Sequence, residues 1–392
     1  MTHPADADRY RWFVLAVFVL SSAINYLDRQ TLAALAPLLE SEFHISRAEF
    51  GWILGAFSAS YAASAPLAGL LIDRIGLNRA VSLVVGVWSC AGIATGFTRG
   101  LGGLIGCRVV LGAAEAGGIP STGKAIHQYL RPTERALGNA LNQACVSLGA
   151  IVAVPVATRI ALAWNWRAAF VITGVLGLLW IPLWNRTATP WKSEARSPQP
   201  IANDPRLWTF AIANALSMVG YSLWTNWTTQ YLVDRHSLSL KESAIYAWIP
   251  PVFALLGGFA GGWLSRSFIA RGAKPLAGRF RVCLIASILS LATFAIPAAP
   301  TPAWTAAGIS LSILAVAAFS VNMYSMPLDA FGAGRAAFGV SILVASYGVL
   351  QFFISPAIGT FMDRHQWSTI TTVAALTPLA ACAVLWGTRS VR

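Results

Sequence analysis

The sequence predicts an all-α membrane protein, with twelve transmembrane helices in two pseudo-symmetric six-helix bundles. Three observations predict it. Of 392 residues, 56% are hydrophobic and only 11% charged, and the mean hydropathy is +0.61. Apolar segments of about 18–28 residues recur along nearly the whole chain, long enough to cross a hydrocarbon core of ~30 Å. A single long polar stretch, TATPWKSEARSPQPIANDP at 187–205, separates six such segments from six. Inside lipid every backbone polar group must be bonded within the chain, so the spans are expected as helices.

Taken in order, the first span, 12–37, begins at Trp12 and carries Asp28 and Arg29. It is too long for the core of a signal peptide and lacks a small-residue cleavage site, so it is expected to remain as a span. The second, 48–72, runs into GLLIDR, and the third, 78–98, contains Trp88. The fourth, 101–127, holds Arg108 and Glu115, and the fifth, 135–163, holds Asn142 and Gln143. The sixth, 165–186, ends near Trp184. Residues 1–186 thus form the expected N-terminal bundle, 187–205 a cytoplasmic linker rich in proline, and 206–392 the C-terminal bundle. Its six spans are 206–233, 242–270, 278–299, 302–330, 335–362 and 366–388. Trp12, Trp88, Trp184, Trp208, Trp304 and Trp386 lie near expected helix ends, where interfacial anchors sit.

A net charge of +13 raises the question of nucleic acid, and its distribution argues against that partner. With both termini cytoplasmic, about 18 Lys and Arg fall on the cytoplasmic side and about 7 on the other, as the positive-inside rule requires. The basic residues punctuate helix ends and form no continuous patch. The five cysteines, Cys90, Cys107, Cys145, Cys283 and Cys382, lie within spans without metal-ligand spacing and read as packing residues. His3, His44, His127, His236 and His365 lie near ends or loops and carry no assigned chemistry. The halves echo one another: Gly138, Pro155 and Trp166 recur at one offset as Gly339, Pro356 and Trp367. Such repeats accompany paired bundles that share a midplane site.

The motif GLLIDRIGLNR at 69–79 resembles the loop signature of the major facilitator superfamily. INYLDRQTLAALAP at 24–37, RVVLGAAEAGGIPSTGKAI at 108–126 and RPTERALGNALNQACVSLGA at 131–150 are similar to its anion:cation symporter family, especially bacterial hexuronate and aldonate transporters. The resemblance covers about 12–388. It implies a monomeric, multi-pass protein of the bacterial inner membrane that transports small organic anions with protons and needs no cofactor or metal. It also implies substrate contacts at Tyr26 and Tyr61, and a conformational latch at Asp73, Arg74 and Arg79, where charges meet helix dipoles. The chain departs from the family pattern at Ser265, Thr229 and Ala345. The family usually has aspartate, proline and, in sugar-acid members, asparagine at these positions. Ala345 keeps a smaller or aromatic monocarboxylate open as substrate.

Asp28, Arg29, Arg108 and Glu115 lie deep within spans. A charge at membrane depth costs roughly 2.5–3.5 kcal/mol on insertion scales and marks function. Asp28 and Arg29 are expected ~5 Å past the middle of the first span, Glu115 near the midplane and Arg108 ~9 Å toward the far side. Adjacent residues on a helix do not face each other, so an Asp28–Arg108 pair is expected, as a structural tie, a gate or a proton relay. Arg29 is then expected to face a central cavity and fork onto a substrate carboxylate, unless it pairs permanently with Glu115. Glu115, in LGAAEAGG, is the expected proton carrier, with a structural acid as the alternative. Asn25, Tyr26, Tyr61 and one of Asn142 and Gln143 are expected around the cavity. Asn322, Tyr324 and Tyr347 are the second-half candidates, with Asn226 and Gln230. Asp329 and Asp363 fall near helix ends as caps or loop charges.

The expected activity is proton-coupled symport of sugar acids by alternating access. An enzyme would need a nucleophile–base pair or metal cluster, and the buried residues offer neither pattern. A non-transporting anion receptor is the alternative of another class.

Overall fold

The computed structural model describes residues 4–131, 133–188 and 203–387. Pro190, Pro198 and Pro200 of the expected linker lie outside them. Helices account for almost all of the described chain. They are α1 (Pro4–Ala34), α2 (Ala36–Phe43), α3 (Arg47–Ile75), α4 (Leu77–Thr95), α5 (Leu101–Glu115), α6 (Gly118–Tyr129), α7 (Arg135–Ala163) and α8 (Trp166–Thr187). The second half continues with α9 (Pro205–Ser217), α10 (Val219–His236), α11 (Leu240–Ala247), α12 (Ile249–Ala270) and α13 (Pro275–Ser290), which runs on as a 3₁₀ turn over Leu291–Ala298. It ends with α14 (Pro302–Phe331), α15 (Ala333–Asp363) and α16 (Trp367–Trp386).

Among the described residues each of the twelve expected spans falls on helices, several of them broken within the span, as at 35, 116–117, 218 and 248. Among the described residues, ten helical stretches are long and apolar enough to cross a membrane. The other two expected spans correspond to α3 and the pair α9–α10. Asn226, Thr228, Thr229 and Gln230 make α10 comparatively polar.

The described chain forms two compact units, Met1–Leu38 with Ala56–Arg196, and Leu39–Gly55 with Ser197–Arg392. In the first unit α1 packs along α7 and α8, and α4 packs along α5 and α8. Small residues allow these crossings. A Cβ on Gly149 of α7 would stand 2.2 Å from the Ala23 carbonyl oxygen of α1, so the two backbones touch there. Trp180 of α8 donates its indole N–H to the Val17 carbonyl (2.7 Å) and stacks on Trp184 with ring centroids 5.5 Å apart. Trp184 and Trp88 are both buried, so neither is the interfacial anchor expected from its position; Trp208, Trp304 and Trp386 are exposed. The difference lies in helix rotation, because both buried rings are turned into the core shared by α1, α4 and α8.

In the second unit α14 is the central helix, packed on α12 and α13, with α16 against α9 and α13. Arg279 of α13 forms an ion pair with Asp329 of α14. Asp329 is thus a bridge between helices, where the sequence suggested a cap or loop charge. The internal echo falls at equivalent places: Gly138 and Gly339 lie near the starts of α7 and α15, Pro155 and Pro356 lie inside the same helices, and Trp166 and Trp367 open α8 and α16. Gly76, in the loop motif, joins α3 to α4 at φ 83°, a left-handed conformation that favours glycine.

Candidate functional site

The first unit gathers all four span charges, on α1 and α5. Arg29 donates from Nε to Glu115 Oε2 (3.0 Å) and closes an ion pair with it through Nη2. Its guanidinium carbon lies 4.9 Å from the ring centre of Tyr26, 4.7 Å from that of Phe57 and 5.6 Å from that of Tyr61. Three aromatic faces therefore surround one cation, an arrangement favoured by the ring quadrupole. Phe57 and Tyr61 occupy one face of α3 because they are four residues apart. Phe57 was missed in the sequence, although that spacing to Tyr61 was a readable signal.

Glu115 sits where its helix is interrupted. α5 ends at Glu115 and α6 begins at Gly118. Across the break, the Gly117 amide bonds the Ala114 carbonyl (3.2 Å), a tighter turn than the helix repeat. The AGG that follows Glu115 lets the chain turn here, and such broken spans are where transporters build their sites. Three residues earlier, a Cβ on Gly112 would stand 2.3 Å from the Phe57 carbonyl oxygen, which brings α3 and its ring against α5.

Asp28 and Arg108 are both buried, but no ion pair joins them among the described residues. Asp28 Oδ1 instead accepts from the Thr173 hydroxyl of α8 (2.8 Å). Asp28 Oδ2 and Arg108 Nε and Nη2 are buried without a hydrogen-bond partner, and Arg108 lies over the ring of Phe170 at 5.6 Å. The expected Asp28–Arg108 pair therefore does not form as a direct ion pair, and each group takes other neighbours. Gly92 of α4 packs on the Asp28 carboxyl, and a Cβ there would stand 3.1 Å from Oδ1. No sequence signal pointed to Thr173 or Gly92.

The accessibility of the four charges differs sharply. The Arg29 side chain is 25% exposed while that of Glu115 is 0%, and Asp28 and Arg108 are buried. Arg29 is thus the most exposed of the four charges, and Glu115 Oε1 is a buried oxygen with no donor.

The neutral candidates divide. Asn25 is buried, and Tyr26 and Tyr61 flank Arg29. Asn142 accepts from the Ser22 hydroxyl of α1 (2.7 Å), one turn from Tyr26, whereas Gln143 is exposed. In the second unit Asn322 is fully buried and donates to the carbonyls of Gly261 (3.1 Å) and Ala318 (2.9 Å), holding α14 to α12. Asn226 donates to the Ser222 carbonyl of its own helix (2.9 Å). Tyr324 packs beside the core and Tyr347 meets Tyr221 edge-on. Arg74 and Arg79 are exposed at the α3–α4 junction, and the Asp73 side chain lies outside the described residues. No group of three or more His, Cys, Asp or Glu among the described residues is placed to hold a metal ion.

Residues 18–280 match the family model of the Major Facilitator Superfamily. The chain belongs to that superfamily. It is a multi-pass membrane protein of a family of transporters, not of enzymes. It is 26% identical to the hexuronate transporter of Escherichia coli (strain K12) over 96% of this chain and 93% of that one. It is 28% identical to the galacturonate transporter of Dickeya chrysanthemi over 66% of this chain and 82% of that one. Among solved structures, a bacterial homolog of the human lysosomal transporter Spinster, inward-facing and unoccupied, superposes with a TM-score of 0.73 at 20% identity. That match covers 98% of this chain and 96% of the other and supports the fold.

Proposed function

We propose that this member of the superfamily is a proton-coupled symporter of organic anions, with hexuronates or aldonates as substrates, working by alternating access in the bacterial inner membrane. Its termini are cytoplasmic in this reading, as the distribution of lysine and arginine favours. Relatives named for hexuronate and galacturonate transport support the substrate class. The observation that carries the reading is Arg29: a partly exposed guanidinium ringed by Tyr26, Phe57 and Tyr61 and tied to a fully buried carboxylate.

That geometry couples anion to proton through one shared partner. The formal charges of Asp28, Arg29, Arg108 and Glu115 cancel. A carboxylate that docks on the Arg29 fork competes with Glu115 for the same N–H groups. Glu115, left buried without its cation, carries a charge that is costly to hold and takes up a proton. The aromatic faces around Arg29 supply flat apolar walls, and Asn25 and Asn142 are the nearby groups that hydrogen-bond hydroxyls. Asp28 and Arg108 form the second, more deeply buried half of the relay, and the Asp73–Arg74–Arg79 motif acts as the latch.

A smaller or aromatic monocarboxylate is the second reading. Ala345, where sugar-acid members often have asparagine, favours it, and the Asn322 amide nitrogen is committed to backbone carbonyls. The test is uptake into proteoliposomes of labelled galacturonate, gluconate, lactate and benzoate, with and without an inward proton gradient. Gradient-driven accumulation of the sugar acids is expected, with Arg29→Ala losing anion affinity and Glu115→Gln losing accumulation. Glu115→Gln protein that still concentrates substrate against its gradient would remove the proton assignment.

A further inference from the structure

The second unit contains a carboxyl group that none of this uses. Glu40 lies in α2, beyond the Arg9–Ala34 span, and packs on α10, where Gln230 donates from Nε2 to Glu40 Oε1 (2.8 Å). Two more carboxylates face it, Asp234 of α10 and Asp363 at the end of α15, and one arginine, Arg47, lies among them. Arg47 pairs with Asp234 and donates from Nη1 to the Met362 carbonyl (3.2 Å). Asp363 accepts from the backbone N–H groups of Arg47 and Ala48 (both 3.1 Å), capping the start of α3 with a side chain from another helix. His365 lies close to Asp234, and Glu42 and His44 are the ionisable neighbours on the α2–α3 segment.

Backbone contacts hold the segments around this half-buried cluster together, while Asp363 and His365 stay exposed. A Cβ on Gly359 would stand 2.1 Å from the Arg47 carbonyl oxygen, and one on Gly51 2.4 Å from that of Ser355. Two acceptors in the cluster are buried without a donor, Gln230 Oε1 and Asp234 Oδ2. Three acidic groups share one arginine, and an amide oxygen beside Glu40 lacks a proton to accept. A neutral Glu40 relieves both problems. It removes one of three like charges and can offer its O–H to Gln230 Oε1 while still accepting from Nε2.

We propose that Glu40 is a second proton-binding site, outside the four-charge cluster, whose protonation holds α2 and the start of α3 docked against α10 and α15. Burial pushes the Glu40 carboxyl up to about 7 despite Gln230 and Arg47, with Asp234 and Asp363 adding to the rise. The sign follows from linkage. The docked form holds the proton more tightly than a solvated glutamate with its ordinary value of 4.5. Docking is therefore fully favoured below that value, and the preference is lost as pH rises through about 7. In a transporter, which is the reading this inference rests on, the α2–α3 segment would then respond to the pH at its own face.

Spin labels at Ser41→Cys and Lys241→Cys, in protein otherwise lacking its five cysteines and held in lipid nanodiscs, report the α2–α11 distance without any substrate. The short-distance population should fall on the order of tenfold relative to the long one between pH 5.5 and 8. Glu40→Gln should keep the acid-form distribution at both pH values, and Glu40→Asp should keep a pH response with a moved midpoint. A wild-type distribution that ignores pH, or a Glu40→Gln response equal to wild type, would overturn the proposal. Because no substrate or gradient is present, that failure leaves the uptake reading standing, and a failed uptake assay leaves the distance result intact.

Discussion

The placing of Arg29 depends on a helix crossing that a single methyl group should disrupt. In Gly149→Ala the new Cβ would stand 2.2 Å from the Ala23 carbonyl oxygen and 3.0 Å from the carbonyl carbon, both backbone atoms that cannot rotate away. Ordinary contact begins near 3.4 Å, so α1 and α7 must part by about 1.2 Å at that point. Overpacking of this kind costs typically ~1–3 kcal/mol. Ala23 lies six residues before Arg29, roughly 9 Å along the helix, so the displacement reaches the guanidinium. A misplacement of ~1 Å at a reacting group can lower a rate about 10²-fold. Gly149→Ala should therefore lower the Tm of the detergent-solubilised protein by several degrees and reduce uptake more steeply than stability. Gly106→Ala, where a Cβ meets nothing within 4 Å, is the control and should leave both unchanged. Wild-type Tm and uptake in Gly149→Ala would refute the claim that backbone contact between α1 and α7 sets the site.

Arg29→Lys keeps the charge but loses the planar fork and its stacking among three rings, and should weaken anion binding by about tenfold or more in equilibrium binding measurements. Thr173→Val removes the donor to Asp28 Oδ1 and leaves a buried carboxyl without a hydrogen bond, since Oδ2 already lacks one. A hydrogen bond to a charged group is worth ~1.5–3 kcal/mol, so the Tm should fall and the pH profile of uptake should move, while Thr173→Ser should retain both. Gly332 joins α14 to α15 at φ 75°, ψ 169°, a region essentially reserved for glycine. Gly332→Ala should cost ~1–3 kcal/mol in thermal unfolding while leaving the affinity for anion unaltered.

Much of the site was legible because a charge in an apolar span is conspicuous in a linear string. Asp28, Arg29, Arg108 and Glu115 stand out that way, and all four gather in one unit. Their pairing was not legible. Arg29 takes Glu115, and Asp28 takes Thr173 from a helix 145 residues away, where the sequence suggested Arg108. Partner choice depends on the rotation and depth of helices distant in sequence, set by contacts such as Gly149 on Ala23 and Gly92 on Asp28. The same cause placed Asn142, and not Gln143, against α1, and turned Trp88 and Trp184 inward.

By itself the sequence determined that the chain is built of apolar helical spans and roughly where each lies, because the demand of a bilayer for about twenty apolar residues per crossing is local and one-dimensional. It likewise determined which residues carry charge to membrane depth. Only the tertiary structure decided which of those charges is exposed, and that Glu40, unremarkable in sequence, packs against Gln230. Exposure and electrostatic partnership are properties of space between helices, and no single helix specifies what its neighbour brings to that space.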